Sequence, residues 1–148
     1  MRVREIMSPT VDSIDASKTI DYAARRMADD DVGILPILSN GELVGIVTDR
    51  DIVVRGVASG ISLSAPVRRV MTKPVSTCGP EDDVESVLAL MSREQIRRMP
   101  VCDHNHDVIG IIALADAAKW QSLKAEVSDT LADISGPSGM HCQVPVFA

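Results

Sequence analysis

A threonine, an aspartate three positions after it and two adjacent arginines are the residues whose types and spacing could do chemistry in this chain. Thr48 and Asp51 stand in Gly45-Ile46-Val47-Thr48-Asp49-Arg50-Asp51, which reads as a strand running straight into a helix. A hydroxyl at a helix start with a carboxylate three positions on is close to a capping box, an arrangement common without any ligand. The same geometry suits a nucleotide. Free N–H groups and the positive end of the helix dipole favour a phosphate, and a neighbouring carboxylate can accept two hydrogen bonds from a ribose diol. Taken alone, the junction reads as a cap.

Ile96-Arg97-Arg98-Met99-Pro100-Val101 is the second stretch of interest. Neighbouring side chains on a strand point to opposite faces, so one arginine is expected to face a cleft and the other solvent. A solvated edge strand that resists aggregation accounts for the pair equally simply. Phosphate capture is the chemical alternative, since the planar guanidinium fork matches it. The corresponding residues 64 positions earlier, Gly33 and Ile34, carry no charge.

Cys102, His104 and His106, with His141-Cys142 further on, are soft metal ligands by type. Their spacing fits no standard zinc site, so the histidines read as turn residues and no metal is expected. There is no G-x-x-x-x-G-K-[ST], G-x-G-x-x-G, G-x-S-x-G or H-E-x-x-H, and no nucleophile paired with a base. The chain does not read as an enzyme and requires no cofactor.

Composition bounds the remaining possibilities. The 148 residues are 45% apolar and 24% charged, the profile of a globular domain. Tyr22, Trp120 and Phe147 are its only aromatics, so the core is aliphatic. A net charge of −6 argues against nucleic acid as the main partner. Three cysteines without C-x-x-C spacing suit a reducing compartment. The charged N-terminus does not read as a signal peptide. The longest apolar run, Val108 to Ala115, is far short of the roughly 20 residues that span a bilayer. A cytoplasmic address without membrane attachment is the expectation.

The elements that must position these residues come in two copies. Val3-Arg4-Glu5-Ile6-Met7-Ser8 returns as Val67-Arg68-Arg69-Val70-Met71-Thr72, an offset of 64 that also relates Met27 to Met91 and Pro36 to Pro100. After one extra turn residue the offset is 65, relating Gly45-Ile46 to Gly110-Ile111 and Asp51 to Asp116. A period this long marks a duplicated supersecondary unit, and two such units define a cleft on a pseudo-two-fold axis where a ligand can bind.

Each copy reads as strand, helix, strand, strand, helix. In the first, Thr10 to Ile14 alternates as a strand, and Ser17 and Thr19 are candidate N-caps. Ile20, Ala23, Ala24 and Met27 form a helical stripe, and the unfavourable Asp29-Asp30-Asp31 run predicts an early stop. Gly33 to Leu38 is a buried strand, with Pro36 at an edge or bulge. Asn40-Gly41 makes a type I′ turn and Leu43 to Val47 is the return strand. A helix from Thr48 carries Ile52, Val53 and Val57. The second copy repeats the plan with Val84, Val87, Leu88 and Met91 on its helix, strands at Arg97 to Cys102 and Val108 to Ala113, and a turn at Asp103-His104-Asn105-His106. Beyond it, Trp120, Leu123, Val127, Leu131 and Ile134 make a seam expected to meet another helix, its own or a partner's, with packing on its own domain the slightly weaker option. The predicted organisation is a first repeat over 1–58, a linker over 59–66, a second repeat over 67–120, an extended helix over 121–135 and a flexible tail over 136–148.

Two copies in register, each with a Met-Ser/Thr opening, an h-x-h-Pro strand and a Gly-h-h-Thr-x-x-Asp junction, resemble a tandem pair of CBS domains, a Bateman module of the small bacterial type. The resemblance covers roughly residues 1–120. It implies an α+β fold of two β-α-β-β-α repeats packed with pseudo-two-fold symmetry. It also implies a regulatory function without catalysis: binding of an adenosine-containing nucleotide, AMP, ADP or ATP foremost, in the cleft between repeats. Carried over by position, Thr48 and Asp51 would hold phosphate and ribose. Pro74, Val75 and Ser76 would line the adenine, and Arg97 and Arg98 would reach the phosphates beside Met99 and Pro100, with Lys73 as a further charge. The second cleft, with Thr10, Val11, Gly33, Ile34 and Asp116, would be weak, since Ala113 replaces the hydroxyl residue. A homodimer and a downstream protein partner are implied. A sensor of S-adenosylmethionine or NAD, or a dimeric scaffold with vestigial clefts, are the alternatives.

Overall fold

The computed structural model describes residues 1–9 and 12–136. Thr10, Val11, the 137–148 tail and its His141-Cys142 lie outside the described residues. The described chain divides into two compact units. One comprises residues 12–75, the other residues 1–9 and 76–136.

The 12–75 unit is built on a three-stranded sheet, ordered β1 (Ile14–Asp15), β2 (Ile34–Ser39) and β3 (Glu42–Thr48). β1 is much shorter than the alternation from Thr10 predicts. It pairs in parallel with Ile37 and Leu38 only, and the Asp15 carboxylate then turns the chain by accepting hydrogen bonds from the Ser17 N–H (2.9 Å) and hydroxyl (2.6 Å). Ser17 is therefore a turn residue. Thr19 caps α1 (Ile20–Asp30), its Oγ1 accepting the Tyr22 N–H at 3.0 Å. α1 does not stop before the aspartate run. Arg26 donates to Asp30 at 3.0 Å and reaches Asp12 at 3.1 Å, which offsets the dipole penalty, and Asp31 closes the helix at φ 52°.

β2 is the middle strand, so Pro36 is not at a sheet edge. It is tolerated because β1 engages only the two residues that follow it, and the ladder with β3 shifts register immediately after Ile37. Asn40 and Gly41, at φ 51° and 80°, form the predicted type I′ turn. After β3, one α-helical turn, α2 (Asp49–Asp51), widens into a π-helical stretch over Ile52–Val57. The three apolar residues expected on this helix do not share one face. Ile52 is buried, while Val53 and Val57 are 57% and 59% exposed.

The other unit copies this plan. α3 (Val84–Glu94) buries Val84, Val87, Leu88 and Met91 as its periodicity requires. β4 (Arg98–Cys102) and β5 (Val108–Ala113) pair antiparallel, and the counterpart of β1 shrinks to one parallel bridge between Cys78 and Val101. The Asp103 carboxylate closes the β4–β5 turn by accepting the Asn105 and Asp107 N–H groups at 2.9 and 3.0 Å. α4 (Leu114–Ala117) follows β5, then a 3-10 turn at Gln121–Leu123 and α5 (Lys124–Ile134).

α5 packs on α3 of its own unit, the option the seam ranked lower. Leu123 and Ile134 are buried, Thr130 donates to the Leu88 carbonyl at 3.4 Å, and Asp133 accepts from the Ser92 hydroxyl. Trp120, 42% exposed, falls off this contact because the chain bends at Gln121–Leu123, and Leu131, 45% exposed, lies off the face of α5 that buries Thr130 and Ile134.

Each core includes residues from the opening segment of the other sequence repeat. Val67, Val70 and Met71 pack with Ile20, Leu35 and Val47, while Val3 and Ile6 pack with Val84, Leu88 and Val101. Backbone pairs fix the exchange. Thr72 and Ile46 trade N–H···O bonds at 2.7 and 3.1 Å, and Ser8 and Ile111 trade them at 2.9 and 3.0 Å.

Candidate functional site

The β3–α2 junction folds as its residue types require. Thr48 leaves β3 with extended φ and ψ and becomes the N-cap of α2. The Asp51 N–H donates to Thr48 Oγ1 at 3.1 Å, and the Thr48 N–H donates to Asp51 Oδ2 at 3.0 Å, a complete reciprocal box. Two further groups converge on the carboxylate. The Thr72 hydroxyl donates at 3.2 Å to Oδ2 and 3.3 Å to Oδ1, and Arg55 Nε stands 3.8 Å from Oδ1. Arg55 Nη1 also donates to the Met71 carbonyl at 3.1 Å, tying the π-helical stretch to the opening segment.

Asp51 is 0% exposed. Burial pushes its carboxyl above the usual range, because an ion loses hydration in a low-dielectric surrounding. The Thr48 N–H, the Arg55 charge and the two threonine hydroxyls pull against that shift. Sequence reasoning singled out Thr48 and Asp51 and missed Thr72 and Arg55. Signals for both were present: Thr72 and Ser8 place a hydroxyl at the same position of the two copies, and Arg55 stands at i+4 from Asp51, the spacing of helical ion pairs.

Lys73 and Pro74 are exposed and Val75 is half-buried in the same unit as Thr48 and Asp51. Ser76, Arg97, Arg98, Met99 and Pro100 belong to the other unit. Both arginines are exposed there. Arg97 lies just outside β4, where its carbonyl accepts the Leu114 N–H at 2.9 Å. Met99 and Pro100 are buried, Met99 wholly so within the core. The Ser76 hydroxyl donates to Glu94.

The second junction is a weaker copy. The Ala113 N–H donates to Asp116 at 3.2 Å, but alanine returns no side-chain bond, and the remaining Asp116 oxygen takes the exposed Lys119 ammonium at 3.1 Å. Gly33 uses its carbonyl to accept the Asp49 N–H at 3.2 Å, and Ile34 is buried. Among the described residues no cluster of three or more His, Cys, Asp or Glu side chains could hold a metal, and no helix is long and apolar enough to cross a membrane.

Two repeats of one plan, each with a helix start capped from its own aspartate, define a duplicated α+β domain pair. The family model described as "CBS domain" matches twice, at residues 3–56 and 67–122, and the chain belongs to that family. It is 35% identical over 133 residues to the CBS domain-containing protein YhcV of Bacillus subtilis, covering 90% of this chain and 94% of that one. Among solved structures it is similar to the conserved CBS domain protein TA0289 from Thermoplasma acidophilum, with TM-score 0.81, 29% identity and coverage of 90% and 75% of the two chains. It is also similar to the CBS domain pair of protein MJ0100, solved in complex with 5-methylthioadenosine and S-adenosyl-L-methionine, with TM-score 0.75, 28% identity and coverage of 84% and 98%.

Proposed function

We propose that the protein is a ligand-sensing regulatory module that binds an adenosine-containing nucleotide, AMP, ADP or ATP foremost, and performs no catalysis. The observation that carries this reading is the β3–α2 junction, where the Asp51 carboxylate sits beside a helix start whose cap is the Thr48 hydroxyl. A carboxylate is the group a ribose diol needs, and helix-start N–H groups suit a phosphate. The ligands of the MJ0100 pair both carry adenosine, which supports the same chemical class here. Arg97 and Arg98 are assigned to the phosphates, and Lys73, Pro74, Val75 and Ser76 to the rest of the nucleotide. The Asp116 junction, without a hydroxyl cap, is assigned weak or no binding, so one nucleotide per chain is the expected stoichiometry. A cytoplasmic homodimer acting on a protein partner completes the reading.

One observation favours a second reading, a dimeric scaffold whose ligand sites are vestigial: the Asp51 carboxylate is already satisfied by groups of this chain. A thermal-shift panel of AMP, ADP, ATP, NAD and S-adenosylmethionine separates the two, because a ligand that binds only the folded state raises Tm. A shift with at least one of them, abolished in Asp51→Ala, is the expected result. No shift with any leaves the scaffold.

A further inference from the structure

The carboxylate assigned to the ribose is covered by a side chain from a distant segment. Thr72 Oγ1 lies between the two oxygens of Asp51, at 3.3 and 3.2 Å, and Asp51 has no exposed surface. The Thr48 N–H takes a further position on Oδ2, and Arg55 Nε stands 3.8 Å from Oδ1. A ribose diol donates one hydrogen to each carboxylate oxygen, so it needs the positions that the Thr72 hydroxyl now bridges. We propose that Thr72 is a built-in surrogate for the ribose: its hydroxyl and the ligand diol compete for Asp51, and binding releases Thr72 from the carboxylate.

The inference rests on the nucleotide reading above and adds its regulation. Thr72 is joined through its backbone to Ile46 of β3 and leads directly into Lys73, Pro74 and Val75. Releasing its side chain therefore changes the segment assigned to the adenine, and ligand occupancy is transmitted along the chain from there. An internal competitor lowers apparent affinity by the fraction of molecules in which the site is free. Removing it must then tighten binding, whereas removing a residue that merely supports the site would weaken it.

The test is calorimetric titration of the full chain with AMP, ATP and S-adenosylmethionine, which carry the diol, and with 2′,3′-dideoxyadenosine triphosphate, which does not. Thr72→Val is expected to bind the diol ligands about tenfold more tightly than wild type, the scale of one lost hydrogen bond to a charged group. Thr72→Ser keeps wild-type affinity, and the dideoxy ligand binds Thr72→Val and wild type alike. Equal or weaker binding of the diol ligands by Thr72→Val, or an equal gain for the dideoxy ligand, overturns the surrogate role alone. Absence of binding by both wild type and variant removes the nucleotide reading and this inference together. Thr72→Ala gives the same comparison should the valine variant fail to fold.

Discussion

The sulfur of Met71 fills the space that a side chain on Gly45 would need: an added Cβ would meet Met71 Sδ at 2.5 Å and the Thr72 carbonyl at 3.1 Å. Met7 stands over Gly110 in the same way, with Sδ at 2.8 Å and the Ser8 carbonyl at 2.9 Å. The two most recognisable parts of each repeat, the Met-Ser/Thr opening and the glycine of the return strand, are thus the two sides of one close approach. Gly45→Ala and Gly110→Ala should each destabilise the protein by about 1–3 kcal/mol through overpacking. Gly110→Ala should cost more, because its closer backbone clash cannot be relieved by a flexible thioether. Urea unfolding of the two variants measures the order.

Asp51 predicts an acid-side signature. Its folded carboxyl lies above the ordinary value near 3.9 because of burial, so the native state binds that proton more tightly than the unfolded chain. Stability therefore declines, for this group, as pH rises from about 4 through the folded pKa. Asp51→Asn removes the titration. The difference in unfolding free energy between Asn variant and wild type should move in the variant's favour across that window, whatever its value at pH 4. A flat difference between pH 4 and 7 contradicts the shift. Asp51→Ala, which strands the Thr48 N–H, the Thr72 hydroxyl and Arg55, should cost about 3 kcal/mol or more at neutral pH.

Much of this arrangement was legible in the residues. The 64-residue repeat, the Asn40-Gly41 turn, the α3 stripe and the Thr48–Asp51 cap each depend on local chemistry, and local chemistry is what a sequence displays. What it concealed depends on tertiary partners. The short β1 follows from its two-residue pairing, and the π-helical widening after Asp51 shows in no residue type. The convergence of Thr72 and Arg55 on Asp51 spans 21 residues in the longer case.

The packing of α5 is open to a contrast of two substitutions. Ile134→Ala removes a side chain 1% exposed and should cost about 2–5 kcal/mol. Leu131→Ala, three residues earlier and 45% exposed, should change stability by about 0.5 kcal/mol or less. Equal costs would mean that Leu131 is buried in solution, as a helix seam shared with another chain would require.

Both described cysteines should be inert while the protein is folded. Burial, followed by the charges of Asp82 and Cys102, pushes the Cys78 thiol up to about 12, and burial raises Cys102 as well. Thiolate is the reactive form. In a Cys142→Ser background, iodoacetamide at pH 7.5 should label the native protein slowly and the urea-unfolded protein rapidly at both positions. Fast native labelling of Cys78 would contradict its place in the core.

The exchange of opening segments puts inheritance and architecture out of phase. The copies that were duplicated begin at Val3 and Val67, but the contiguous stretch holding one complete interior runs over residues 12–75, starting inside one copy and finishing inside the next. Severing the chain between copies would open both interiors at once, leaving one half without Val67, Val70 and Met71 and the other without Val3 and Ile6. A cut that spares an interior must therefore fall inside a copy, near residues 11 and 75, and not at the boundary between the copies.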